Sequence, residues 1–177
     1  MNFKEYQSES RKTATYPGLN KDMSYPLMGL CGECGELFEK FKKVLRDNKG
    51  EMSPDRIDGI ISECSDILWY LFQIYSELKI DFQDNYTEVS VDQTKIKSVL
   101  HILVAMHCTI SDITIYCLSS NKTLISELTD KANILIAIIK EICKICDVTI
   151  EKVMEYNIKK LQDRLNRNVI CGDGDKR

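Results

Sequence analysis

Four carboxylates are spaced for metal chemistry: Glu33-x-x-Glu36 in "GECGELFEK" and Glu63-x-x-Asp66 in "SECSDILWYL". A separation of three residues brings two side chains to neighbouring places on one helix face. Two such pairs facing each other repel unless a hard cation lies between them. Mg²⁺ or Mn²⁺, with oxygen ligands and retained waters, suits that place. Two thiol pairs compete with this reading. Cys31-x-x-Cys34 overlaps the first carboxylate pair and Cys143-x-x-Cys146 repeats its spacing, which invites zinc or redox chemistry.

Helical geometry separates the two. At about 100° per residue, Leu30, Cys31, Cys34, Leu37, Phe38, Phe41, Val44 and Leu45 form one apolar arc. Glu33, Glu36, Lys40 and Lys43 lie together on another, within roughly 80°. Both thiols of the first pair therefore belong to the core stripe. Zinc knuckles place their cysteines in tight turns, whereas all four thiols here fall inside apolar helical runs. Buried free cysteine behaves as a small hydrophobe, so packing is the expected role. On the second helix Ile60, Ile61, Cys64, Ile67, Leu68, Leu71, Phe72, Ile74 and Tyr75 make the apolar side. Glu63, Asp66 and Tyr70 stand at its margin, within roughly 60°. Gly32 and Gly35 beside the first pair suggest a close helix approach, where unpaired charge is costly. A third helix adds countercharge: Asn157, Lys160 and Arg164 in "NIKKLQDR" share a face, and Lys and Arg there can hold phosphate oxygens.

The elements that must carry these residues are helices. With 8 Gly and 3 Pro in 177 residues, long helices fit better than strands and turns. The pattern predicts helices over 2–13, 27–47, 55–79, 93–118, 123–146 and 149–167, with Ser53 as an N-cap before Pro54. "TYPGLNKDMSYP", "DNKG", "DFQDNYTEVSVD" and "SSNK" separate them. The tail "VICGDGDKR" cannot be helical throughout. The expectation is an all-α antiparallel bundle of about five to six helices forming a single domain over 1–177.

Composition narrows the function. Net charge −3 and a pI near 5.5 argue against broad binding to nucleic acid. No N-terminal stretch resembles a signal peptide, and no run reaches the ~18 apolar residues of a membrane span, "ANILIAII" coming closest. Eight cysteines then fit reduced thiols, and the expected setting is cytoplasmic and off the membrane. His101 and His107 sit among apolar residues and read as core or lining residues.

The carboxylate motifs with their surroundings, "GECGELFEKFKK" and "ECSDILWYL", resemble the MazG-like branch of the all-α nucleoside triphosphate pyrophosphohydrolases. "YNIKKLQDR" resembles that family's third motif, "GDGDKR" its Gly-Asp-Arg tail, and "EYQSESRKTATYP" its N-terminal helix. The resemblance covers residues 3–80 and 149–177. It implies an all-α enzyme that splits (d)NTPs into monophosphate and pyrophosphate, as in nucleotide-pool house-cleaning. By position, Glu33, Glu36, Glu63 and Asp66 would be Mg²⁺ ligands (Mn²⁺ substituting). Tyr70, Asn157, Lys160 and Arg164 would meet substrate phosphates or sugar, assisted by Lys40 and Lys43. A carboxylate, Glu36 or Glu39, would take the proton of the attacking water.

Residues 85–148 depart from the simple family pattern as a helical hairpin. "SECSDILWYLFQIYSELKIDF" can be laid on "TDKANILIAIIKEICKICDVT", setting Asp130 opposite Glu63 and Asn133 opposite Asp66. This segment is either an insertion or a degenerate repeat resembling the fused units of dimeric dUTPases. The apolar helices point to a homodimer or higher homo-oligomer. Two other classes fit: a nucleotide-sensing or structural helical protein without turnover, and a Cys-based zinc-binding helical protein.

Overall fold

Asn2 starts the first helix. Its side chain accepts the Glu5 backbone N–H at 2.9 Å, and Glu5 returns the bond to the Asn2 N–H at 3.0 Å, a reciprocal cap that fixes α1, Phe3–Arg11. The structure is a computed structural model and describes residues 1–83, 99–119 and 125–169. Five further helices follow: α2 Ser24–Asn48, α3 Pro54–Leu78, α4 Val99–Leu118, α5 Ile125–Ile145 and α6 Ile150–Asn166. The described residues are all helix and connection, an all-α bundle of six helices.

The helix ends follow local chemistry. α2 stops where Lys49 and Gly50 turn left-handed, at φ +53° and +89°, the second being free for glycine alone. Pro54 opens α3 at its first position, but Ser53 makes no side-chain capping bond; its carbonyl receives the Arg56 and Ile57 N–H groups instead. Thr149 caps α6 through the Lys152 N–H. α2 begins three residues earlier than expected, with Pro26 accommodated in its first turn, where a missing N–H is harmless. Residues 93–98 and 123–124 of the expected helices lie outside the described residues. So do the loop beyond residue 83, most of "SSNK" and the tail from 170.

α2 and α3 form one antiparallel hairpin and α4 and α5 a second. α3 is the central element. Its expected apolar side is buried throughout, and Ser65, Trp69 and Gln73 are buried as well. Such all-round burial follows from its neighbours: α2, α1, α6 and α5 each pack on it. The first hairpin is seated against the N-terminal turn by buried polar bonds. Trp69 Nε1 donates to Thr13 Oγ1 at 2.9 Å, and Glu77 accepts from Tyr16 at 2.6 Å and from Arg11 at 2.8 Å.

The α2 stripe is narrower than the wheel suggests. Leu27, Leu30, Cys34, Leu37, Phe41 and Val44 are buried, alternating three and four apart. Cys31 and Leu45, one residue beyond that seam, face outwards, Leu45 being 70% exposed. The expectation that Cys31 packs in the core is thereby corrected. His101 and His107 are exposed too, because among the described residues α4 is covered on one side only. His107 stays close enough to set its ring edge on Phe38, 6.3 Å between centroids.

By length and composition α4 could cross a membrane, and it comes closer to that limit than "ANILIAII". Its twenty residues carry one charged side chain, Asp112, with His, Thr and Ser scattered among the apolar ones. In α5, Asn133 donates to the Thr129 carbonyl at 3.0 Å, a bond within its own helix.

Candidate functional site

The carboxylates converge where α2 and α3 face each other. Oxygens of Glu33, Glu36 and Glu63 lie within 4.8 Å of one another, and no other group of three or more His, Cys, Asp or Glu is so gathered among the described residues. Glu63 is deepest, its side chain 2% exposed, and Lys40 reaches across from α2 to within 2.8 Å of Oε1. The Lys40 stem passes over Gly59, one turn before Glu63, where a Cβ would lie in ordinary contact with Lys40 Cδ at 3.4 Å. Glu36 is exposed and forms the mouth of the cluster.

Glu33 lies between. Burial first, then the charges of Asp66, Glu36 and Glu63 and a hydrogen bond shared with Glu63, push its carboxyl up to about 9. A carboxyl that keeps its proton at neutral pH marks a place where burial and neighbouring carboxylates together disfavour a further negative charge. Hard oxygens in this arrangement are the donor set that Mg²⁺ or Mn²⁺ takes, so the residues fit such an ion.

Asp66 is placed differently from the other three. α6 holds it: Lys160 Nζ lies 2.7 Å from Oδ2, and Asn157 Nδ2 donates to Oδ1 at 3.2 Å. Lys160 also donates to Ser62 and Ser65 Oγ, both at 3.2 Å. Asn157 is fully buried; it donates to Ser65 at 3.2 Å and accepts from the Tyr6 hydroxyl at 2.8 Å. Asn157, expected among the substrate contacts, is placed behind Asp66 with its amide engaged by the protein. Its amide joins α1, α3 and α6 and orients Asp66 from behind. Arg164, one turn beyond Lys160, is 7% exposed and belongs to the same packed seam.

Tyr70 is half-buried on α3, one turn beyond Asp66. A Cβ on Gly29 would fall 2.2 Å from Tyr70 Cε1, so the glycine of α2 admits the ring. Gly32 and Gly35 have nothing within 4 Å of that position. The close approach anticipated at those two occurs at Gly29 instead. Burial, then the neighbouring Tyr25 and Glu33, hold the Tyr70 hydroxyl well above its usual range. Lys43 is half-buried on α2 with its charge felt at Glu39. Glu39 itself is exposed, bonded to Lys42, and outside the carboxylate cluster; of the two candidate bases only Glu36 belongs to it.

The sequence reading missed Tyr6, Gly29, Ser62 and Ser65. The serines had a readable signal, since Ser62-x-x-Ser65 runs one residue ahead of Glu63-x-x-Asp66 on the same helix. The thiols do not form a comparable centre. Cys34, Cys143 and Cys146 are buried, and burial pushes them up to about 11, 12 and 11, away from the thiolate that binds metal.

Over 80 residues the chain is 36% identical to the Gene 37 protein of Mycobacterium phage L5, covering 42% of this chain and 70% of that protein. The chain belongs to the family of that phage protein. The Gene 37 name carries no activity, so chemistry must come from the site. No family model and no solved structure matches the chain.

Proposed function

We propose that the protein is a Mg²⁺-dependent nucleoside triphosphate pyrophosphohydrolase, splitting a (d)NTP into the monophosphate and pyrophosphate. One observation carries the reading. Glu33 and Glu36 of α2 meet the buried Glu63 of α3 within 4.8 Å, with lysines on the flanks of the cluster. Glu33, Glu36, Glu63 and Asp66 would hold the ion, which supplies charge neutralisation on the phosphate oxygens and activation of water.

The remaining work belongs to this chain's own groups. Glu36, exposed at the mouth, accepts the proton of the water that attacks the α-phosphorus. The α-phosphorus–oxygen bond to the β-phosphate breaks, and pyrophosphate leaves with the electron pair. Lys160, with Ser62 and Ser65 around its ammonium, sits beside Asp66 and can turn to a phosphate oxygen when a triphosphate arrives. Asn157 and Tyr6 keep Asp66 in register while it does so. Tyr70 fills the gap over Gly29 and excludes water from the inner side of the cluster.

A reading without turnover rests on the same lysines, since Lys40 and Lys160 already offset Glu63 and Asp66. A panel of (d)NTPs with Mg²⁺, assayed for both nucleotide binding and pyrophosphate, separates the two. Equimolar monophosphate and pyrophosphate support hydrolysis; binding with no product supports a sensor.

A further inference from the structure

Among the described residues, α4 is covered on one side only. Its inner residues pack on α2 and α5, while Leu100, Val104, Ile115 and Leu118 are 60%, 49%, 64% and 73% exposed. Cys108 and Ser111 are exposed between them. On a helical wheel these six residues fall within about 80° and make a strip about 27 Å long. An apolar stripe of that length on a helix facing water marks an interaction surface.

The order of the residues indicates what covers it. Read from either end, the strip runs large to small to large: Leu100 and Val104, then Cys108 and Ser111, then Ile115 and Leu118. Reversed about its centre, Leu100 falls opposite Leu118, Val104 opposite Ile115, and Cys108 opposite Ser111. A surface complementary to itself under reversal is what a two-fold axis requires. Small side chains at the crossing point let two backbones approach, and the larger ones close over each end. Charge agrees. The strip itself carries no Asp, Glu, Lys or Arg; Asp112 beside it is tied to Lys131 at 2.6 Å, and the exposed His101 and His107 flank it. Beside Leu100 a groove of about 420 Å³ opens between Phe41, Leu45 and Met52. An opposing Leu118 would rest at its mouth.

We propose that α4 pairs antiparallel with α4 of a second copy of this chain, about a two-fold axis near Cys108 and Ser111. The dimer joins through the second hairpin, and the carboxylate cluster of α2 and α3 takes no part in the pairing.

Sedimentation equilibrium of the full chain tests this, together with Val104→Glu/Ile115→Glu. Both positions are exposed, so the variant keeps its helix content by circular dichroism. The wild type is expected as a dimer, and the variant's dissociation constant should rise at least ~100-fold, because the two introduced carboxylates of each copy are then buried opposite those of the other. Val104→Cys/Ile115→Cys, made together with Cys108→Ser so that the exposed native thiol of the strip cannot compete, fixes the register. Positions 104 and 115 are about 16 Å apart on one helix and cannot bridge within a chain. Mild oxidation should join position 104 of one copy to position 115 of the other. A monomeric wild type, a dimer indifferent to the glutamates, or no such bridge would overturn the proposal. So would a wild type that cosediments with phosphatidylcholine vesicles and loses this binding in the glutamate variant, since a bilayer is then the occupant.

Discussion

Lys160 Nζ lies 2.7 Å from Asp66 Oδ2, an ion pair that joins the last helix to the central one, with side chains 10% and 21% exposed. Asp66 is thus a ligand candidate already occupied by a cation of the chain itself. Replacing Lys160 with Met leaves a mostly buried carboxylate with Asn157 as its remaining side-chain donor. That should cost about 1–3 kcal/mol of stability, less at millimolar Mg²⁺ than in chelator, because the ion supplies the missing charge. Urea denaturation with and without Mg²⁺ measures both. An equal loss in the two conditions would mean that no ion reaches Asp66.

Glu33 gives the metal-free protein a pH dependence. Its folded carboxyl is pushed up to about 9, against an ordinary value of 4.5. The folded state therefore binds a proton that the unfolded chain releases, and stability should fall as pH rises from about 5 towards 9. Glu33→Gln, neutral at every pH, should flatten that slope. Mg²⁺ should reverse it, since binding displaces the proton. Thermal midpoints at pH 6 and pH 9 decide the matter; a wild type no less stable at pH 9 would contradict the crowding of carboxylates at this point.

The glycines of α2 should respond differently to one methyl group. Gly29→Ala drives a Cβ to 2.2 Å from the Tyr70 ring and should cost about 1–3 kcal/mol. Gly32→Ala and Gly35→Ala meet nothing within 4 Å. Both should stabilise the helix by about 0.5–1 kcal/mol. Denaturant midpoints of the three variants check the order, and a neutral Gly29→Ala would remove the close approach.

Cys34 and Cys31 make a similar contrast. Cys34→Ala empties a fully buried place and should cost about 1–2 kcal/mol, whereas exposed Cys31→Ala should be nearly neutral. Neither should change activity per folded molecule or release zinc. Stoichiometric zinc lost together with the fold would return the chemistry to the thiols.

The helices were legible because the apolar period survives on each of them, and because Pro54, Thr149 and the Lys49–Gly50 turn punctuate it. The meeting of Glu33, Glu36 and Glu63 was legible for the same reason: spacing of three on adjacent antiparallel helices leaves few other arrangements. A wheel gives a direction but does not say which neighbour arrives there. It therefore placed Cys31 and Leu45 in the core, although each lies one residue beyond the buried seam and stays exposed. It set Asn157 on one face with Lys160 and Arg164 but could not show that Tyr6, 151 residues away in sequence, donates to its amide oxygen. The glycine needed for close packing depends on where an aromatic ring lands, and Tyr70 lands on Gly29.

The most direct test of the account is pyrophosphate release from a (d)NTP panel with Mg²⁺, for the wild type, Glu36→Gln and Asp66→Asn at matched folded concentration. The account predicts monophosphate and pyrophosphate in equal amounts from at least one triphosphate, and a fall of at least ~10²-fold in each variant. No pyrophosphate from any triphosphate, or near-wild-type turnover in both variants, would contradict it.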